Sequence, residues 1–209
     1  MATLLRDWSY RYSWLYDGIT KLTAISVGGE ARLRRLALQN LDLQPHTQIL
    51  DLCCGNGPVT QVLVQQSQHV TGLDASPKAI ARAQTNVPQA TFVEGFAEAM
   101  PFADASFDVV HTSMALHEME PEQRSQILQE VYRVLKPDGI FALIDFHSPT
   151  NPIFWPGLAL FLWLFETHTA WELVRSGLET ALAKANFHID HNTYAVGGSL
   201  QILQARKPV

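Results

Sequence analysis

The stretch from Ile49 to Gly57, with the sequence ILDLCCGNG, constrains the fold of this chain more than any other. β-Favouring residues surround the acidic Asp51, two glycines spaced one apart follow, and residues 58–66 have the composition of a helix. Glycines permit positive φ and let a ligand lie against bare backbone, while a helix start offers unpaired N–H groups and a positive dipole end. The stretch predicts a strand, a tight turn and a helix start. A ligand-binding turn and a plain βα turn both explain the glycine pair.

Length, charge and cysteine content narrow the class of protein. The 209 residues fit one domain with a real core. A formal charge of −5 and a pI near 5.9 argue against a nucleic-acid binder, which needs a basic face. Cys53 and Cys54 are adjacent, a poor arrangement for a disulfide and too few ligands for a metal site. We therefore expect a reducing, cytoplasmic location and no metal, and residues 1–14 lack the pattern of a secretory signal.

From residue 47 onwards, β-favouring runs alternate with helical patterns. The predicted strands are Thr47–Cys53, His69–Asp74, Ala90–Glu94, Phe107–His111, Ile140–Asp145, Phe187–Asn192 and Leu200–Ala205. Alternation of this kind predicts a parallel sheet covered on both faces. The last two strands are joined only by a short region around Gly197-Gly198 and must pair antiparallel. The sequence thus predicts a single-domain, doubly wound, Rossmann-like α/β fold with a seven-stranded, mostly parallel sheet and an antiparallel last strand.

Helix boundaries follow from capping residues and apolar spacing. Ser76 caps a helix that Pro77 opens, and Pro121 opens another that ends at Lys136–Gly139. Thr169-x-x-Glu172 is typical of a capping box and predicts one helix ending near Asn186. The second of these helices is predicted to bury Ile127, Leu128, Val131, Val134 and Leu135.

The region before Pro45 is helical and aromatic in pattern. Residues 30–41 place Leu33, Leu36, Ala37 and Leu41 on one helical face. Aromatic residues recur earlier at Trp8, Tyr10, Tyr12, Trp14 and Tyr16. These rings either pack in the core or form a mobile cover over an apolar ligand.

In an open α/β sheet, ligands bind at the carboxyl ends of the strands. Asp74 ends the second predicted strand, where a carboxylate can accept two hydrogen bonds from a ribose diol. A dinucleotide site would require G-x-G-x-x-G, but Thr60 stands at the third glycine position and Pro58 removes an N–H group. A ligand with adenosine but no phosphate fits better, and Asp51 suits a cationic amino group.

At this point the chain resembles the class I S-adenosylmethionine-dependent methyltransferases, in particular the branch with ubiquinone and menaquinone C-methyltransferases. The motifs that carry the resemblance are ILDLCCGNG, GLDAS, FVEGFAEAMPF, FDVVHTSMALHE, EVYRVLKPDG and DFHSP. They cover residues 45–149 and imply S-adenosylmethionine as cofactor and S-adenosylhomocysteine as product. The implied division is an N-terminal helical cover (1–44), a cofactor-binding core (45–145), an apolar insertion (146–168) and a C-terminal helix with a strand pair (169–209).

The resemblance also implies roles for single residues. Asp51, Gly55 and Gly57 would hold the methionine part of the cofactor, and Asp74 the ribose hydroxyls. The implied cofactor-binding set is completed by Cys53, Ala75, Gly95, Ala97 and Ser113. Phe96 stands where the family pattern has an aspartate that meets the adenine amino group. We expect Phe96 to pack on the ring face, with backbone N–H groups or Glu98 as the polar contact, and adenine selectivity to be weakened.

Methyl transfer needs a base only where the acceptor must lose a proton. His117 and His147 follow predicted strand ends and are the candidate catalytic bases, with His117 first; Glu118 or Asp145 could orient an imidazole. Either histidine could equally be a hydrogen-bonded structural residue. The Asn-Pro-Pro-Tyr-like motif of N-methyltransferases is absent after strand four, so we expect no nucleic-acid substrate.

Residues 153–165, IFWPGLALFLWLF, contain no charge and are too few to span a membrane. A core helix, a lid over a lipophilic acceptor and an in-plane membrane anchor with Trp155 and Trp163 all fit, and we favour lid and interfacial contact.

The predicted function is methylation of a small, apolar acceptor, such as a quinol or prenylated aromatic, by a cytoplasmic enzyme that can touch membranes through residues 153–165. The alternatives are methylation of a soluble metabolite, a non-catalytic cofactor-binding protein and, more distantly, an oxidoreductase. The sequence gives no oligomeric state.

Overall fold

The computed structural model describes residues 29–209, and their centre is one sheet of seven strands. The strands are β1 (Gln48–Leu52), β2 (His69–Asp74), β3 (Thr91–Glu94), β4 (Phe107–Ser113), β5 (Leu135–Phe146), β6 (His188–Ala195) and β7 (Leu200–Arg206). Their order is β3-β2-β1-β4-β5-β7-β6. Neighbours pair in parallel except that β7 runs antiparallel to both β5 and β6. The predicted mixed α/β sheet is confirmed.

Successive side chains of the central strands point to opposite faces of the sheet, and each face carries an apolar core. Leu50 and Leu52 belong to the core under the helix Pro121–Val134, whereas Ile49 points to the opposite face. Phe141 and Leu143 of β5 likewise lie on the first face, covered by the same helix. Because both faces are covered, the strands contain nearly continuous apolar runs, as expected for a parallel sheet.

Helices connect the strands and cover these cores. They are α1 (Glu30–Leu33), α2 (Thr60–Leu63), α3 (Pro77–Asn86), α4 (Pro121–Val134), α5 (Trp155–Phe165), α6 (His168–Ser176) and α7 (Glu179–Lys184). Short 3-10 turns occur at Leu36–Leu38, Leu116–Glu118, Pro152–Phe154 and Val196–Gly198. No helix in the described part of the chain is long and apolar enough to cross a membrane.

Two of the predicted helix starts are confirmed. Ser76 caps α3, and its side-chain oxygen accepts a hydrogen bond from the Ala79 N–H at 3.3 Å. Pro121 is the first residue of α4, and the helix ends just before the Lys136–Gly139 segment. The five predicted core-facing side chains of this helix are all buried.

Three predicted helices are shorter than expected. The run 58–66 is helical only at Thr60–Leu63, and 30–41 only at Glu30–Leu33 with a 3-10 turn after it. The capping box at Thr169 was wrong: the helix starts at His168, and Glu172 binds Arg124 instead of turning back to the cap. The single helix to Asn186 was also wrong, because Gly177 at φ 71° separates α6 from α7.

Strand order places a topological switch point between β1 and β4. The chain proceeds from β1 to β2 and β3 on one side, and from β4 to β5 on the other. The carboxyl edge at such a point is where open α/β sheets bind ligands. The aromatic residues predicted to pack or to form a cover, Trp8 to Tyr16, lie outside the described residues.

Candidate active site

The turn after β1 uses left-handed backbone at Cys53 (φ 57°), Gly55 (φ 54°) and Gly57 (φ 82°). The Gly57 N–H donates to the Cys54 carbonyl at 2.9 Å, which closes the turn. A Cβ on Gly55 would meet nothing within 4 Å, so the backbone there is open to a ligand. Cys53 is not a glycine, yet its backbone is in the left-handed region that L residues rarely occupy. Such local backbone strain is typical of ligand-binding turns.

Asp74 at the end of β2 is fixed beside this turn. One carboxylate oxygen accepts from the Gly55 N–H at 2.9 Å, and the other accepts from the Ser76 N–H at 2.9 Å. A carboxylate has about four lone-pair sites, so both oxygens keep capacity for ligand hydroxyls. The side chain is therefore oriented by backbone donors and remains able to accept a diol.

A cleft of about 180 Å³ opens at the carboxyl ends of β1, β2 and β3. Its lining comes from Cys53, Leu73, Asp74, Ala75, Gly95, Phe96, Ala97, Glu98, Met119 and Gln123. Six members of the predicted cofactor-binding set thus meet in one cleft; Asp51, Gly55, Gly57 and Ser113 are outside its lining. Leu73, Met119 and Gln123 were not predicted as site residues, although Leu73 lies within the GLDAS motif and Met119 follows the end of β4, a neighbour of β1.

The charge of the cleft matches a cationic, phosphate-free ligand. Asp74 and Glu98 contribute carboxylates, and no lysine or arginine is among the lining residues that the structure describes. Glu98 is held by the Gln123 amide at 3.0 Å. A sulfonium nucleoside with a free ribose diol suits such a lining, whereas a pyrophosphate would meet like charge.

The cysteine thiol in this cleft is not a nucleophile at neutral pH. Burial, followed by the charges of Asp74 and Asp51, raises the pKa of Cys53 to about 12. Burial also raises the pKa of Cys54, whose sulfur would lie 2.9 Å from a Cβ on Gly72. Both thiols therefore stay protonated.

Phe96 stands at the rim of the cleft. Its side chain is 63% exposed, an unusual position for a large apolar ring. The N–H of the preceding Gly95 donates to the Asp74 carbonyl at 3.1 Å, which fixes the loop beside the Asp74 carboxylate. A planar ring at this rim is available to stack on a base.

Asp51 lies beneath the turn and bridges β1, α2 and β4. One of its oxygens is 3.0 Å from His111 Nδ1, and the other accepts from the Thr60 hydroxyl at 2.6 Å. Asp51 and His111 are paired in register and almost fully buried, and His111 Nε2 has no partner among the described residues. Sequence reasoning missed His111. The sequence pattern that could have identified it is an ionisable residue inside an apolar strand that pairs with β1.

His117 is buried and held by two carboxylates. Its Nδ1 lies 2.6 Å from Asp145 Oδ1 and its Nε2 3.5 Å from Glu166 Oε2. Burial lowers the pKa of His117, but the Asp145 charge and hydrogen bond, then the charges of Glu166 and Glu118, raise it to about 9. The expected orientation by Asp145 is present. The ring is nevertheless a cation at neutral pH, which is the wrong state for a general base.

His147 is half-buried and directly follows the last residue of β5. Its Nδ1 lies 3.1 Å from the Gly198 carbonyl, so that nitrogen carries the proton and Nε2 is the acceptor. The Tyr194 ring packs on it at 4.8 Å. His117 is thus held by two carboxylates, whereas His147 is held by a backbone carbonyl.

The apolar insertion forms α5 and the turn before it. Leu158 and Leu162 of this helix are buried in the core on the β5 face. Its other side exposes Leu160 at 57% and Trp163 at 66%, and Ile153 before it is 77% exposed. The helix is therefore part core and part surface: Leu158 and Leu162 fit the core-helix alternative, and the exposed side leaves the lid and membrane-anchor alternatives open.

Comparison with known proteins agrees with this geometry. A family model described as a methyltransferase domain matches residues 49–139. An uncharacterised methyltransferase from Synechocystis is 53% identical over 99% of this chain and 97% of its own length. A demethylmenaquinone methyltransferase from Lactobacillus johnsonii is 34% identical over 72% of this chain, but the match spans only 64% of that enzyme.

Among solved structures, the methyltransferase in complex with the Haloferax volcanii Trm112 activator superposes over the full length of both chains, with a TM-score of 0.71 and 15% identity. This similarity supports the fold alone. The relatives of high identity and coverage establish more: the chain belongs to the class I S-adenosylmethionine-dependent methyltransferases, and S-adenosylmethionine is its cofactor.

Proposed function

We propose that this methyltransferase acts on a small, lipophilic acceptor of the quinol or prenylated-aromatic type. The observation that carries the proposal is the surface formed by Ile153, Trp155, Leu160 and Trp163, called here the α5 apolar surface. These side chains are 39–77% exposed; Ile153 lies in the turn before α5, and the other three are in α5, whose other side is anchored in the core. An exposed apolar surface of this kind marks a binding site for an apolar partner.

A relative supports the same class of acceptor. The Lactobacillus enzyme is named a demethylmenaquinone methyltransferase, and its match covers 72% of this chain. Residues 153–165 bring two tryptophans to the exterior, the residue type preferred where apolar and aqueous phases meet. We propose that the α5 apolar surface also contacts the membrane from which such an acceptor is drawn.

Within the cleft, we propose that Asp74 accepts the ribose hydroxyls of the cofactor and that Phe96 stacks on its adenine. Gly55 and Gly57 shape the turn under the methionine part. Asp51 acts from below by fixing α2 and the end of β4 through Thr60 and His111. Ser113 ends β4 at the switch point, where cofactor and acceptor meet.

The cofactor supplies an electrophilic methyl group on a sulfonium. The chain's own contribution is to hold the acceptor atom in line with that methyl and to exclude water. Where the acceptor must lose a proton, we assign the base role to His147 Nε2. His117 is less suited to it, because its proton is held by Asp145 and Glu166.

A tail-length series tests the acceptor class. Hydroquinones with no tail and with progressively longer prenyl tails, presented in vesicles, are assayed for methyl transfer. We expect kcat/KM to rise with tail length in the native protein, and Trp163→Gln to lower it about tenfold for long tails only. Val209→Gln, which alters another exposed apolar side chain, is the matched control. Equal rates across the series, or faster transfer to soluble acceptors, would contradict the proposal.

A further inference from the structure

The short turn between β4 and α4 lies between the cofactor cleft and the apolar helix. It comprises Leu116–Glu118, and the next residue, Met119, lines the cleft. On its other side, His117 Nε2 is 3.5 Å from Glu166, the residue that directly follows the last residue of α5. One turn therefore touches both the cofactor site and the end of α5.

The contact with α5 is a buried charge cluster. The His117 side chain is 4% exposed, and those of Asp145 and Glu166 are 1% and 12% exposed. Asp145 also accepts from the His117 backbone N–H at 3.2 Å, so the imidazolium is fixed to the end of β5. Charges buried to this extent are strongly disfavoured without a partner, so loss of either carboxylate changes the local structure.

Aromatic packing continues the connection from His117 into α5. The His117 ring packs on Phe146 at 4.6 Å, and Phe146 packs on Phe161 of α5 at 5.6 Å. Phe161 in turn contacts Phe165 at 5.4 Å. The His117–Glu166 ion pair and these packed rings therefore both connect the 116–119 turn to α5.

Arg124 of α4 holds the turn on the opposite side. Its Nε donates to the Leu116 carbonyl at 3.2 Å, and a terminal nitrogen donates to the Met119 carbonyl at 3.0 Å. Another terminal nitrogen pairs with Glu172 of α6 at 3.0 Å. Because Arg124 and Asp145 fix the turn, Glu166 is the partner whose loss would release α5 rather than the turn.

We propose that Glu166 and His117 are positioning residues that hold the C-terminal end of α5 against the 116–119 turn and so set where the α5 apolar surface presents the acceptor to the methyl group. The inference rests on the proposed function, since it assumes that this surface contacts the acceptor. The charged groups around His117 are Asp145 from β5, Glu166 from the end of α5 and Glu118 from the turn itself. Glu166→Gln removes one charge from this set and leaves the cleft lining untouched.

The test compares Glu166→Gln with Glu122→Gln, a control that removes an exposed carboxylate from the first turn of α4. We expect Glu166→Gln to speed hydrogen exchange in peptides covering residues 155–165 about five- to tenfold, the size expected for one charged contact. The KM for a prenylated hydroquinone should rise by a similar factor, with little change in kcat or in the calorimetric affinity for S-adenosylhomocysteine. The control should change none of these quantities.

A second variant keeps the inference testable where substrate results are ambiguous. Glu166→Asp retains the charge on a shorter side chain and should restore part of the exchange protection. Unchanged exchange in Glu166→Gln would overturn the tether, and faster exchange with an unchanged acceptor KM would overturn its positioning role. Native protein that methylates no prenylated acceptor would refute the proposed function instead, and hydrogen exchange would still decide the tether.

Discussion

Replacement of His117 by glutamine tests the charge state on which the account of this site depends. The imidazole lies between Asp145 and Glu166, and its pKa is about 9 in place of the ordinary 6.5. Burial acts against this rise, and the Asp145 charge and hydrogen bond outweigh it. Glutamine keeps a polar side chain of similar reach but removes the titratable charge.

The sign and size of the effect follow from linkage. The pKa is higher in the folded chain than in the unfolded chain, so proton binding stabilises the fold. This contribution is fully present below pH 6.5 and is lost as the pH rises through about 9. It amounts to about 3 kcal/mol at low pH, about 2–3 kcal/mol at pH 7 and close to zero at pH 10. For a domain of this size, about 2–3 kcal/mol corresponds to a change in Tm of about 4–12 °C.

Urea unfolding of the native protein and of His117→Gln at pH 7, 8, 9 and 10 measures this contribution. The difference in unfolding free energy between the two proteins should narrow by about 2–3 kcal/mol across that range. His188→Gln is the control, because the His188 side chain is 73% exposed beside Asp190 and its pair is screened by solvent. A difference for His117→Gln that stays constant with pH would refute the buried imidazolium.

Three further predictions concern the cleft and α5. Asp74→Asn removes the charge that we propose accepts the ribose hydroxyls and should weaken S-adenosylhomocysteine binding about tenfold by calorimetry; unchanged affinity would place the ribose elsewhere. Phe96→Asp should raise the preference for S-adenosylhomocysteine over its inosine analogue, because a carboxylate accepts from the adenine amino group; an unchanged ratio would remove Phe96 from the adenine site. Leu162→Ala should cost about 2–5 kcal/mol in urea unfolding, whereas Trp163→Ala should cost less than about 1 kcal/mol; equal losses would contradict the two-sided packing of α5.

The succession of β-favouring runs and helical patterns was sufficient to predict the sheet. All seven strands lie where β-favouring runs occur, and the tight connection at Gly197-Gly198 correctly required β7 to be antiparallel. Helix ends were less predictable, because the side chains near them bind residues that are distant in sequence. Glu172 had the spacing of a capping box, but Arg124, 48 residues earlier, binds it. Gly177 was the local signal that was overlooked.

The candidate site was predictable in its motifs but not in its charge network. Glycine spacing predicted the turn after β1 and Asp74 predicted the cleft beside it, because backbone conformation and a strand-ending carboxylate are local properties. His111 and Glu166 have no local pattern of their own. Each acquires its role from a residue on another element, Asp51 at 3.0 Å and His117 at 3.5 Å. Such pairings depend on strand register and helix placement, which apolar periodicity does not encode.

Methyl-labelled S-adenosylmethionine tests the central claim most directly. The protein is incubated with an extract of its source cells divided into a lipid fraction and an aqueous fraction, and labelled products are identified by mass spectrometry. We predict that label enters a quinol or prenylated aromatic in the lipid fraction and that Asp74→Asn reduces this transfer. Label found only in a hydrophilic metabolite of the aqueous fraction would contradict the proposed function.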